Sequence, residues 1–233
     1  MKVLALDTSG PAAGAAVVTD GRVAAEAWDQ GRTTPSRRLL ATVEFVLARA
    51  GVSRGELEGL AVAVGPGWFT GLRVGLATAQ GLALGLGLPV AGVSSLRVLA
   101  EGAPLRRGVV WAVRDARRGL VYAAAFRRDP AGLQRLEPDT AYSPARLAQR
   151  LQPPVLLVGS GARLYREQLA GPGRELAPQW ADVPRPGLLG LIGARRLAEG
   201  QGVDPAELQA RYCRPTEAEI RFGLPLDDYR LVE

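Results

Sequence analysis

Short apolar runs closed by turn-forming residues open the chain. Residues 3–6 are uniformly apolar, residues 12–18 follow after Asp7-Thr8-Ser9-Gly10, and residues 22–28 return after Asp20-Gly21, a two-residue hairpin signal. Three antiparallel strands are predicted. The pattern then lengthens: after a loop over residues 30–35, Leu39, Leu40, Val43, Val46, Leu47 and Ala50 recur at helical spacing, with Ser36 as the predicted cap and Gly51 as the stop. A strand at 60–64, a long helix and a strand at 90–93 come next, and Ser94-Ser95-Leu96 predicts a short helix ending near Gly102.

Beyond residues 103–108, rich in proline, glycine and arginine, the alternation begins again. This boundary gives two lobes, 1–102 and 103–233. Residues 109–113 and 120–126 read as strands around the turn Asp115-Ala116-Arg117-Arg118-Gly119, which sets Asp115 at a strand end like that of Asp7. Ser143-Pro144 opens a helix to Leu151, residues 155–158 form a strand, and Gly159-Ser160-Gly161 leads into a helix near Leu164. A loop over 178–186 precedes a helix at 188–198. The tail from Leu224 carries little pattern.

The densest stretch is Gly65-Pro66-Gly67-Trp68-Phe69-Thr70-Gly71-Leu72-Arg73-Val74-Gly75. Gly65 and Gly67 permit positive φ, Pro66 fixes φ without a donor, and Thr70 stands where an N-cap is expected. Counting in fours from Gly71 gives Gly75, Ala79, Ala83 and Gly87, a face almost without side chains flanked by leucine ridges. Such a face either presses against the chain's own sheet or receives another chain.

Composition narrows the chemistry. The 233 residues contain no histidine, so a Ser-His-Asp triad, a Cys-His pair and a histidine-ligated metal are excluded. Cys213 is the single cysteine, which rules out an intrachain disulfide framework and favours a reducing compartment. The net charge of +6 is spread over scattered arginine pairs, a weak footprint for direct nucleic-acid binding. Residues 74–93 are nearly uncharged, but Gln80 and Pro89 favour a buried helix followed by a strand over a membrane span. No apolar leader with a cleavage site is visible, and a cytoplasmic location is expected.

An aspartate after the first strand, a matching one in the second half and a late glycine turn resemble the α/β, two-lobed actin-like ATPase fold, ribonuclease H-like with duplicated mixed-sheet halves. More specifically, Leu4-Ala5-Leu6-Asp7-Thr8-Ser9, the Gly65–Arg73 motif, Gly92-Val93-Ser94-Ser95-Leu96 and Asp115-Ala116-Arg117 are similar to the TsaB (YeaZ) family. The sequence departs from the family pattern at Trp68, where serine is usual, and at Thr34-Pro35-Ser36, where many members carry histidine.

The resemblance implies a non-catalytic dimerisation subunit that pairs with TsaD through its first two helices. The assembly also contains TsaE and forms N6-threonylcarbamoyladenosine on tRNA, which the chain meets only through the complex. Leu39, Val43, Trp68, Phe69, Gly71, Leu72, Arg73, Gly75, Leu76 and Ala79 are the interface residues this reading selects. Homodimerisation through the same helices is expected when the chain is alone, and no membrane contact. Asp7, Thr8 and Ser9 are either remnants of a phosphate loop or plain strand-end caps. Arg117 and Arg118 place bulky cations where the opposite hairpin would need phosphate-facing amides. No cofactor is therefore expected in the isolated chain, with ATP or ADP and Mg²⁺ confined to a partner junction. The alternative is a small-molecule kinase or ATPase of the same superfold. A peptidase lacks both metal ligands and a triad.

Overall fold

The computed structural model describes residues 1–29 and 35–213, with the side chains of 35–37 outside that description. The first helix begins at Pro35, so Ser36 is its second residue and does not hold the expected cap position, while residues 30–34 of the expected loop, Thr34 included, and the tail from Leu224 lie outside the described residues. In chain order the elements are β1 Lys2–Asp7, β2 Ala13–Thr19, β3 Arg22–Asp29, α1 Pro35–Ala50, β4 Gly59–Gly65, α2 Phe69–Leu86, β5 Val90–Ser94 and α3 Ser95–Glu101. They continue as β6 Gly108–Arg117, β7 Leu120–Asp129, β8 Gly132–Arg135, β9 Thr140–Tyr142, α4 Pro144–Arg150 and β10 Val155–Val158. The last are α5 Ser160–Leu164, α6 Arg166–Leu169, β11 Arg174–Leu176 and α7 Pro186–Ala198.

Two compact units result, one of residues 1–98 with 185–210, the other of 99–184 with 211 onward. The expected division at 102 is corrected by α7, which returns to the first unit. Its sheet runs β3-β2-β1-β4-β5, antiparallel across β1, β2 and β3 and parallel from β1 to β4 to β5. The Asp20-Gly21 hairpin forms with both residues at positive φ, the geometry whose twist suits a two-residue connection. Alternation along β1 divides its side chains between two cores. Leu4 and Leu6 join Val17, Leu60 and Val62 beneath Leu39, Val43, Val46 and Leu47 of α1 and Leu76, Ala79 and Ala83 of α2. Val3 and Ala5 join Ala16, Ala61, Ala63 and Val93 beneath Leu189 and Ile192 of α7.

Burial on both faces explains why these strands read as unbroken apolar runs. A Cβ on Gly190 would lie 2.6 Å from Val18 Cγ2, and one on Gly193 would overlap Ala61, so α7 sits unusually close to the sheet. Glu26 of β3 fixes the start of that helix: its Oε1 accepts from the Gly187 N–H at 2.8 Å, and its carboxylate pairs with Arg185, whose guanidinium stacks over Trp28 at 4.5 Å.

The second unit repeats the plan. Its sheet runs β11-β10-β6-β7-β8, with β9 also on β7. β6 and β7 are antiparallel, as are β7 and β8, while β6, β10 and β11 are parallel. β6 thus corresponds to β1, β7 to β2, the split pair β8 and β9 to β3, β10 to β4 and β11 to β5. This is the duplicated mixed-sheet arrangement of the ribonuclease H-like, actin-like fold. Trp111, Val113, Val121, Leu147, Leu157 and Leu169 form its core. Among the described residues, no helix is long and apolar enough to cross a membrane.

Candidate functional site

The glycine motif is built around the loop that follows β1. β4 ends at Gly65 with φ 123°, the chain passes a cis Gly65–Pro66 bond, and the Trp68 N–H donates to the Ser9 carbonyl at 2.9 Å. A Cβ on Gly67 would overlap the Ser9 carbonyl oxygen, one on Gly71 the Thr8 carbonyl oxygen, and one on Gly75 the Thr8 hydroxyl. Gly67 is thus required by close approach and not, as expected, by positive φ. Thr8 Oγ1 donates to the Gly71 carbonyl at 2.7 Å, the Ser9 N–H donates to Asp7 Oδ1 at 2.8 Å, and Ser95 Oγ donates to the Pro66 carbonyl at 2.5 Å. Asp7, Thr8 and Ser9 are all buried. Thr70 does not cap the helix: Phe69 begins it, Trp68 holds the cap position without a side-chain capping bond, and Thr70 is exposed in the first turn.

The second unit carries the same device in reduced form. The Arg117 N–H donates to Asp115 Oδ1 at 2.8 Å, the same two-residue step as Ser9 to Asp7. Gly159 after β10 has φ 115°, matching Gly65 after β4, and a Cβ on Gly161 would lie 2.7 Å from the Arg114 carbonyl carbon. Ser160 Oγ accepts from the Asp115 N–H at 3.2 Å. Gly159-Ser160-Gly161 is therefore the counterpart of the Gly65–Gly71 turn, each seating the preceding hairpin of its own unit.

The expected interface residues separate into two groups. Leu39, Val43, Leu72, Leu76 and Ala79 are buried in the unit's own core, and Gly71 and Gly75 lie against Thr8. The small-residue ladder is thus corrected from a docking face to the seat of the helix on its own sheet and loop. Trp68, Phe69 and Arg73 are exposed. Arg73, at an end of the helix where the dipole opposes a cation, stacks its guanidinium 3.9 Å from the Phe69 ring centroid. Two helical steps away from the buried ladder runs an open face, Arg73, Ala77, Gly81, Leu84 and Gly85. Leu84 is 62% exposed on α2, and Leu40 and Phe45 are 53% and 55% exposed on α1.

Comparison with known proteins places these features. Residues 34–180 match the family model described as "TsaD: tRNA N6-adenosine threonylcarbamoyltransferase". The chain is 33% identical to the tRNA threonylcarbamoyladenosine biosynthesis protein TsaB of Escherichia coli, over 92% of this chain and 95% of that protein. It is 30% identical to the Bacillus subtilis protein of the same name, over 95% and 98%. The chain belongs to the TsaB (YeaZ) family. A Pseudomonas aeruginosa structure described as an uncharacterized protein with similarity to peptidase YEAZ superposes with a TM-score of 0.81, at 29% identity over 91% of this chain and 99% of that one.

In this TsaB-family chain, sequence reasoning missed Phe45 and Leu84 as exposed apolar residues. The signal was present. Phe45 falls outside the periodic set of α1 that became buried, and Leu84 lies one residue off the Gly71-Gly75-Ala79-Ala83 row.

Proposed function

We propose that this chain is a non-catalytic, cytoplasmic subunit that binds TsaD in the assembly forming N6-threonylcarbamoyladenosine on tRNA. The names of its E. coli and B. subtilis relatives supply the pathway. The observation that carries the subunit role is the set of large apolar side chains left exposed on and beside two adjacent helices: Leu40 and Phe45 on α1, Trp68 at the cap of α2, and Phe69 and Leu84 on α2. Aromatic anchors flanked by aliphatic groups are the usual centre of a protein interface. TsaE joins the larger assembly in this reading, tRNA is met through the complex, and the same face pairs two copies of the chain when TsaD is absent.

The state of Asp7, Thr8 and Ser9 supports a non-catalytic role. The Thr8 hydroxyl is engaged by the Gly71 carbonyl and the Ser9 amide by Asp7 Oδ1, which favours structural capping over a phosphate loop. Nucleotide and Mg²⁺ are proposed only at a partner junction. A peptidase reading meets a chain with no histidine and one cysteine.

The test is capture of TsaD by the tagged chain. Phe45→Asp combined with Phe69→Asp is expected to reduce recovered TsaD at least about ten-fold, because charges replace apolar anchors at the centre of the contact, while the thermal melt of the variant stays near that of the parent. Undiminished capture by that variant overturns the reading. ATP turnover by the isolated chain favours the kinase or ATPase alternative instead.

A further inference from the structure

A groove opens in the first unit where α2 ends. It offers about 440 Å³ between the last turn of α2 and residues 202–205, and its lining includes Leu84, Gly87, Pro89, Val203, Asp204 and Pro205. Both walls are fixed. Val203 exchanges two backbone hydrogen bonds with Val90 at the start of β5, at 3.1 and 2.9 Å, and Gln80 of α2 donates through Nε2 to the Pro205 and Leu208 carbonyls at 2.9 and 3.2 Å. A Cβ on Gly202 would lie 2.8 Å from Leu197 Cδ2, so the 202–205 wall is packed onto the rest of the unit.

The groove is apolar with a negative rim. Of the described residues that line it, Asp204 alone is charged; it is exposed, and its Oδ1 accepts from the Ala206 N–H at 2.8 Å, which fixes the carboxylate in place. α2 stops beside it at Gly87, with φ 66°, and has no basic residue in its last turn to answer the negative end of the helix dipole. Residues 74–96 carry no charged side chain, and residues 197–210 hold Glu199, Asp204 and Glu207 without an arginine or lysine, in a chain whose net charge is +6. The field there favours a cation and opposes a phosphate.

Leu84 belongs both to this groove and to the exposed apolar set on α1 and α2, so the groove continues the face assigned to the docking partner. We infer that it receives a segment of that partner in which an arginine or lysine is flanked by apolar side chains. The cation meets Asp204 and the end of α2, and its methylene stem and the flanking groups lie on Leu84, Pro89 and Val203. That the partner is TsaD rests on the function proposed above; the basic and apolar character of the segment rests on the groove.

The experiment measures TsaD capture by the full chain against salt concentration, and titrates a short fluorescent peptide of alternating leucine and arginine beside its leucine and glutamate counterpart. Asp204→Lys is expected to weaken TsaD capture and arginine-peptide binding about ten-fold each. Val203→Arg, which fills the groove with a cation from the chain itself, is expected to do the same. Asp204→Asn keeps the acceptor for the Ala206 N–H and is expected to flatten the salt dependence of capture with a smaller loss. Glu199→Lys makes the charge change of Asp204→Lys outside the lining and is expected to leave both readouts at the parent level, as thermal melts are for every variant. An arginine peptide bound no better than the glutamate peptide overturns the inference, as does TsaD capture that neither Asp204→Lys nor Val203→Arg lowers. No TsaD capture by the parent, alongside arginine-peptide binding that Asp204→Lys weakens, sinks the subunit reading and leaves the groove's preference standing.

Discussion

Gly71 shows how one missing methyl group decides local structure. Its hydrogen faces the Thr8 carbonyl oxygen at a distance no real Cβ adopts, and its own carbonyl receives the Thr8 hydroxyl. Gly71→Ala is expected to destabilise the chain by about 1–3 kcal/mol in denaturant unfolding, since the backbone of the β1 loop must shift to make room. Gly81, on the same helix, has open space where a Cβ would sit. There Gly81→Ala is expected to stabilise by up to about 1 kcal/mol, the ordinary helix-propensity gain. Equal effects at the two sites would contradict the close-approach explanation. Glu56 offers a pH test at the chain's opening. Its carboxyl is lowered to about 2, chiefly by the bond from Lys2 Nζ at 2.6 Å and then by the Ser53 N–H and hydroxyl. A folded value below the ordinary 4.5 means the contribution is fully present above pH 4.5 and is lost as pH falls towards 2. Melting temperature should therefore fall less steeply between pH 4.5 and 2 in Glu56→Gln than in the parent, and parallel curves would remove Glu56 from the acid response.

At the level of elements, the longer strands and the caps of α3 and α4 were legible in the sequence. Residues 155–158 form β10 as read, Ser143 caps α4 by accepting from the Arg146 N–H, and the Arg97 N–H donates to Ser94 Oγ at the start of α3. These signals are local: alternation, a hydroxyl, a proline at the first helical position. The orientation of α2 was not legible, because its two glycine-containing rows look alike in the sequence. The 71-75-79-83 row faces the sheet and the Thr8 loop, whereas the 73-77-81-85 row faces solvent, and only the position of the β1 loop distinguishes them. Nor did pattern reveal β8, β9 and β11, which have four, three and three residues and are too short for alternation to register. The faint likeness between Asp7 and Asp115 was sound, yet it took backbone geometry to show that each aspartate accepts from the amide two residues on.

At the scale of the whole chain, α7 determines what can fold by itself. Residues 1–102 contain all five strands of the first sheet, so a cut there looks natural on sequence grounds. That piece lacks the helix covering Val3, Ala5, Ala61, Ala63 and Val93, a sheet face lined entirely by apolar side chains. An uncovered face of that kind leads to aggregation. It also loses Arg185 and Gly187, which hold the Glu26 carboxylate. Joining residues 1–98 to 185–210 through a flexible linker of about twelve glycine and serine residues restores the cover without the second unit. The joined chain is expected to be monodisperse or dimeric with a cooperative melt, and residues 1–102 alone to precipitate or bind a hydrophobic dye strongly. Because the joined chain retains α1 and α2, it should also capture TsaD. Cooperative folding of residues 1–102 by themselves would show that α7 is an accessory and not part of the first unit's core.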